Sequence, residues 1–223
     1  MKPTRAVAVP SFTHRIGYQA GLLGGMATII SLLLIMGDQS TRDDIQLRLE
    51  EDTRAMLDQV LPADLYDNNP LELRYPLKDS PFPGHNVAYL ATTNGQLSGL
   101  AMEVVGKGYS GDIVLLLGVN EKGEITGVRT ISHAETPGLG DKIEIKKNDW
   151  VTSFNGYSLE NLSATQWQVK KDGGDFDQFT GATITPRAVV NAVKTGLIHY
   201  NQQRATIEAQ LSIPVNPDKE GSQ

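Results

Sequence analysis

The chain has 223 residues, no cysteine, four histidines, and 26 Asp and Glu against 20 Lys and Arg, for a net charge of −6. Without cysteine there can be no disulfide, iron–sulfur cluster, thiolate zinc site or cysteine nucleophile. The acidic balance argues against nucleic acid as a partner, because phosphate contacts need clustered Lys and Arg.

From Ile16 to Gly37 there is no charged residue, and the stretch "AGLLGGMATIISLLLIM" is almost wholly apolar. As a helix this run would measure roughly 33 Å, enough to cross a hydrocarbon core of about 30 Å. No small-x-small cleavage site stands where "IMGDQST" ends the run, so an uncleaved signal anchor is expected rather than a removed leader. Lys2, Arg5 and Arg15 precede the span with no acid among them, and Asp38, Asp43 and Asp44 come after it. Basic flanks stay cytoplasmic, which puts the N-terminus inside and the body outside, in the periplasm of a bacterium. With those three cations set aside, 17 Lys and Arg remain against all 26 acids, and the body is strongly acidic. A cysteine-free body suits an oxidising compartment.

After the span, "STRDDIQLRLEEDTRAMLDQVLP" has helix-forming composition and reads as a helix continuing or restarting from the membrane, ended by Pro62. Residues 67–86 hold Pro70, Pro76, Pro81, Pro83 and Gly84 and read as an irregular connection. Strands come next. "VAYLATT" and "LSGLAMEVV" flank an Asn-Gly turn signal, and "DIVLLLGVN" and "ITGVRTISH" flank the short "EKGE". "WQVKK" is a candidate further strand, and from Pro186 to Arg204 a helical run places Val189, Val193, Gly196, Leu197 and Tyr200 near one face. The expected architecture is α+β: a cytoplasmic N-terminus (1–15), a single transmembrane helix (16–37), a membrane-proximal helix (38–66), one mostly antiparallel-sheet domain with flanking helices (67–210) and a flexible tail (211–223).

Several familiar patterns carry no chemistry here. "GKGYSG", Gly106 to Gly111, fits G-x-G-x-x-G by letter, but the next segment is β-rich rather than helical, so it reads as a turn and not a nicotinamide site. His14, His85, His133 and His199 stand at no metal-ligand spacing, no G-x-S-x-G elbow is present, and "NLS" at Asn161 is a short pattern common by chance. "HAETPGLGDKIE", His133 to Glu144, reads first as a tight connection whose glycines supply unusual backbone angles. That glycine pair would also let a flat ligand approach the backbone, with Leu139 against a ring face.

The stretch Asp177 to Val193, "DQFTGATITPRAVVNAV", is more pointed. Pro186 at a first helical position makes Thr185 the expected N-cap, beside the free N–H groups of the first turn, which form an anion site. Gly181 and Ala182 leave room against the backbone, and Thr180 and Thr183 add hydroxyls. On these grounds alone the segment is a threonine-capped helix; if a phosphate were held there, Thr185 is the hydroxyl that would meet it.

"DQFTGATIT" resembles the D-x-x-[ST]-G-A-[ST]-x-T pattern of the FMN-binding domain family, whose last threonine is esterified to the flavin phosphate. Together with "ETPGLGDKIE", "GYSGDI" and the N-terminal anchor, the arrangement is similar to the G-subunit family of the Rnf (Rsx) ion-translocating electron transport complex. The resemblance implies FMN bound covalently through Thr185, with Thr180, Gly181, Ala182 and Thr183 lining its attachment and Glu135, Thr136, Gly138 and Leu139 near its ring. It implies attachment by a separate flavin transferase using FAD, other membrane and peripheral subunits as partners, and a place at the bacterial inner membrane. The chain would then be an electron-carrying subunit of a ferredoxin:NAD oxidoreductase, with no catalytic residue and no metal of its own. The C-subunit family of the sodium-translocating NADH:quinone reductase shares the flavin motif and the anchor and is the nearest alternative. A periplasmic binding or assembly module without flavin, or an anchored hydrolase, would leave the threonine an ordinary cap.

Overall fold

The computed structural model describes residues 16–212. The basic flank Lys2, Arg5 and Arg15 and the tail from 213 lie outside the described residues. The chain divides into two units at Glu51/Asp52. In the first, the described residues are all helical and form the opening part of α1 (Ile16–Val60). Its stretch Ile16–Met36 is long and apolar enough to cross a membrane, and its large side chains are exposed on every side. A helix that is apolar all round needs an apolar solvent.

The second unit is built on five strands: β1 (Arg74–Pro76), β2 (Val87–Thr93), β3 (Gln96–Lys107), β4 (Asp112–Asn120) and β5 (Ile125–Ser132). They pair in sequence order and antiparallel throughout, so the sheet is a simple meander. The β2–β3 connection is a two-residue turn, with Thr93 opposite Gln96 and Asn94 and Gly95 at φ 53° and 75°. Two positive φ values match the right-handed strand twist and explain the Asn-Gly pair. The G-x-G-x-x-G stretch lies at the tip of the β3–β4 hairpin, where the Gly108 N–H donates to the Gly111 carbonyl at 2.8 Å.

Two segments differ from expectation. Residues 67–86 include β1, because an outermost strand has an unpaired side on which a proline costs no ladder bond. "WQVKK" is not a sheet strand. Val169 makes one isolated bridge to Phe176, and Lys170–Asp172 is a 3-10 turn. The alternation of Trp167 and Val169 is real, but both side chains enter the core rather than a sheet face.

α2 (Ile184–Leu211) covers one face of the sheet with Val189, Val193, Leu197 and Tyr200. The Tyr200 hydroxyl donates to the Asn120 carbonyl at 2.9 Å, and burial pushes its phenol up to about 12. The end of α1 covers the other face, with Leu57, Val60 and Leu61 against Ala91, Ala101 and Leu116. Gly118 and Gly127, opposite one another on β4 and β5, make the notch it crosses; a methyl on Gly127 would come to 2.8 Å from Val60 Cα. Between β5 and α2 the chain is held by an aromatic cluster of Trp150, Phe154, Trp167, Phe176 and Phe179.

Candidate functional site

Thr180 and Gly181 form the tip of a tight turn in which the Ala182 N–H donates to the Phe179 carbonyl at 3.1 Å. Gly181 takes φ +83° at the third position, where type II turns call for glycine. The N-cap is then Thr183, and α2 starts at Ile184. The expectation of Thr185 as N-cap and Pro186 as first helical residue is therefore corrected. Thr185 is the second helical residue and Pro186 the third. Every N–H of a first turn lacks an intrahelical partner, so proline's missing donor costs as little at the third position as at the first.

This register frees the Thr185 hydroxyl from capping. It is 0% exposed and donates to Glu135 Oε2, across 50 residues of sequence. Glu135, 5% exposed, lies just past β5, and its Oε1 accepts the Ser110 N–H at 3.0 Å from the β3–β4 hairpin tip. Hairpin, post-β5 loop and helix start thus meet at one carboxylate. Gly140 makes the meeting possible, because a methyl there would lie 2.8 Å from Glu135 Oε2 and 2.9 Å from Thr185 Oγ1.

A polar relay fixes the loop. The Glu135 N–H donates to His133 Nδ1 at 3.1 Å, so the ring proton sits on Nε2 and is given to Glu144 Oε1 at 2.9 Å. Lys147 bridges Glu144 at 2.7 Å and Asp141 at 3.0 Å. A hydrogen bond from the Gly138 backbone, and then Lys147, hold the Asp141 carboxyl below the usual carboxylate range. Lys147 and then His133 do the same for Glu144.

Above this floor lies a cleft of about 300 Å³. Glu135, Gly140 and Thr185 line its buried end; Thr136 and the Gly181–Thr183 stretch continue its lining. Its rim is apolar and exposed: Leu139 is 42%, Ile184 46% and Tyr109 74% exposed. Of the residues expected at a flavin, Glu135, Thr136, Leu139, Gly181, Ala182, Thr183 and Thr185 come together here. Thr180 and Gly138 are on their turns and do not line the cleft. Tyr109 and Ile184 carry no role in the sequence reading; "GYSGDI" and "TIT" contain them, but neither pattern says which way they face.

The residues fit a flavin mononucleotide in kind. The first-turn N–H groups of Ile184 and Thr185, with the helix dipole, suit a phosphate beside the Thr185 hydroxyl, and the apolar rim suits a ring. Among the described residues no Lys or Arg lines the cleft. The nearby Arg187 is engaged by Asp172, at 2.5 and 2.6 Å.

The FMN-binding domain family matches residues 108–198, a span that runs from the hairpin tip into α2 and includes every cleft-lining residue named above. The chain is 44% identical over 199 residues to the G subunit of the ion-translocating oxidoreductase complex of Shewanella piezotolerans, covering 87% of this chain and 92% of that one. The protein of that name from Stutzerimonas stutzeri is 44% identical over 211 residues, covering 95% and 92%. The one from Haemophilus influenzae is 45% identical over 205 residues, covering 91% and 97%. Among solved structures, Shewanella oneidensis NqrC aligns over 67% of this chain and 74% of that one, with a TM-score of 0.43 and 20% identity.

Proposed function

Because the chain belongs to the G-subunit family of ion-translocating oxidoreductase complexes, we propose that it carries FMN as a phosphoester on Thr185 and relays electrons within such a complex. The observation that carries this is the Thr185 hydroxyl, set in the first helical turn at the buried end of a cleft that an FMN-binding domain encloses. When bound, the flavin supplies the redox chemistry, and the protein supplies position and electrostatics.

The chain's own residues divide that work. The N–H groups of Ile184 and Thr185 would hold a phosphate, Gly181 and Ala182 would give it room, and Leu139, Ile184 and Tyr109 would offer apolar surface at the rim. Dipoles alone suit a phosphodiester, with one negative charge, better than a free phosphate monoester with nearly two. The covalent bond also makes the effective concentration of the flavin independent of its dilution outside the cell. Attachment is made by a separate flavin transferase with FAD as donor.

The test is the denatured mass of the full chain after co-expression with a flavin transferase. One FMN less one water is expected. An unmodified mass, with the transferase active on another substrate, overturns the reading. Thr183→Val should slow loading only by roughly threefold to tenfold, the scale of one hydrogen bond. Complete loss in that variant would mean that Thr183 is the residue modified.

The membrane helix is proposed to have its N-terminus in the cytoplasm and the body in the periplasm, from the placement of Lys2, Arg5 and Arg15. The chain has no cysteine, so Lys122→Cys on the β4–β5 turn gives a single label site. A maleimide that cannot cross the inner membrane should label it in intact spheroplasts. Labelling only after lysis reverses the orientation.

A further inference from the structure

We propose that Glu135 is the proton acceptor for the Thr185 hydroxyl in the reaction that attaches the flavin, so that this chain contributes a reacting group to its own modification. The inference rests on the reading of Thr185 as the attachment point.

The geometry of the pair carries it. A threonine inside a helix ordinarily bonds back to a carbonyl three or four residues earlier, and an N-cap threonine accepts from a backbone N–H. Thr185 does neither; its hydroxyl is aimed across the cleft floor at a carboxylate, which when ionised can only accept. The hydroxyl is therefore the donor, and its proton points at Glu135 Oε2. Its lone pairs accept no hydrogen bond among the described residues, so they are uncommitted once the transferase uncovers the buried end of the cleft. That is the relation of nucleophile to base.

The carboxylate is held for this contact and for little else. Among the described residues Glu135 joins no ion pair, so it neutralises no cation. Its other oxygen is pinned by the Ser110 N–H. Glycines close on it from both sides: a methyl on Gly108 would come to 2.5 Å from Oε1, and one on Gly140 to 2.8 Å from Oε2. A buried acid with one oxygen pinned by a backbone N–H and glycines packed beside both oxygens has one orientation to offer, and that orientation meets Thr185.

The step balances without an oxidant or reductant. The donor is a flavin dinucleotide. A bond forms between Thr185 Oγ1 and the phosphorus on the flavin side. The bond from that phosphorus to the oxygen bridging the two phosphates breaks, and the nucleoside monophosphate leaves with the electron pair. The Thr185 proton passes to Glu135 Oε2. Afterwards the two atoms are still one donor and one acceptor, with roles exchanged.

The test uses the full chain in detergent, a purified flavin transferase and FAD, and follows covalent flavin by mass and by in-gel fluorescence. Glu135→Gln keeps the size of the side chain but cannot take the proton, whereas Glu135→Asp can take it but is one methylene short. A proton acceptor requires Asp to react faster than Gln, with Gln slowed about 10²–10⁴-fold, the usual range for a general base. A purely structural Glu135 requires the reverse order, and Gln within about threefold of the parent overturns the proposal. Added formate should restore attachment in Glu135→Ala, by filling the vacated space with a carboxylate. This arm decides the matter if the Gln variant loses its melting transition, and absence of rescue then overturns the proposal. If the unaltered chain takes up no flavin, the reading of Thr185 fails and this inference with it. If that chain is loaded and Gln is loaded equally fast, only the inference fails.

Discussion

Valine at position 185 gives a chain that folds and takes up no covalent flavin. The replacement nearly preserves shape, exchanging one hydroxyl for a methyl at a side chain that is 0% exposed. A phosphoester needs an oxygen, and the neighbouring candidate cannot stand in. Thr183, the N-cap, lines the same cleft, but its hydroxyl does not reach Glu135, which takes the Thr185 proton. The structural cost falls on Glu135 Oε2, which loses its donor, and a buried acceptor left unpaired costs about 1–3 kcal/mol. For a body of this size that lowers the melting temperature by roughly 2–4 °C per kcal/mol. Denatured mass and a thermal melt on one preparation check both halves. Undiminished flavin on the valine variant would remove Thr185 from the chemistry altogether.

Phe154→Ala carries the largest expected loss of stability. Phe154 is fully buried, stacks on Phe176 at 4.5 Å between ring centroids and meets Trp150 edge-on at 5.3 Å. It belongs to the segment between β5 and α2, which contributes no strand to the sheet and is held by aromatic packing instead. Removing the ring deletes buried apolar surface and leaves a cavity, a cost of about 3–5 kcal/mol. At the same conversion the melting temperature falls by roughly 6–20 °C. Flavin loading should fall with it, because Trp150 Nε1 donates to the Asp177 carbonyl at 2.9 Å and so ties the cluster to the turn before α2. Urea unfolding of the full chain in detergent measures the effect. A loss below about 1 kcal/mol would show that this segment is held by something other than its rings.

Strands β2 to β5 and the buried stripe of α2 are legible in the sequence because local patterns encode them. Asn94-Gly95 dictates a turn, and Val189, Val193, Leu197 and Tyr200 repeat at helical spacing. The register of the helix start is not legible in the same way. In "TITP" either threonine can precede a first turn, and proline is tolerated at any of its opening positions. β1 is concealed by Pro76, which an edge strand accommodates, and the alternation in "WQVKK" serves an aromatic core that no local window reveals. The contact between Glu135 and Thr185 spans 50 residues. The family resemblance placed both near a flavin, but their meeting depends on the close approach at Gly140 and on where the β3–β4 hairpin tip comes to rest.

The cleft is closed at Thr185 and open at Leu139, Tyr109 and Ile184. A group tethered at the bottom of such a socket, as proposed for Thr185, would present its far edge to whatever docks at the mouth. Many enzymes spend their turnover time opening and closing a cover. With the mouth open among the described residues, electron exchange between the proposed flavin and a neighbour would be set by distance and alignment at the rim.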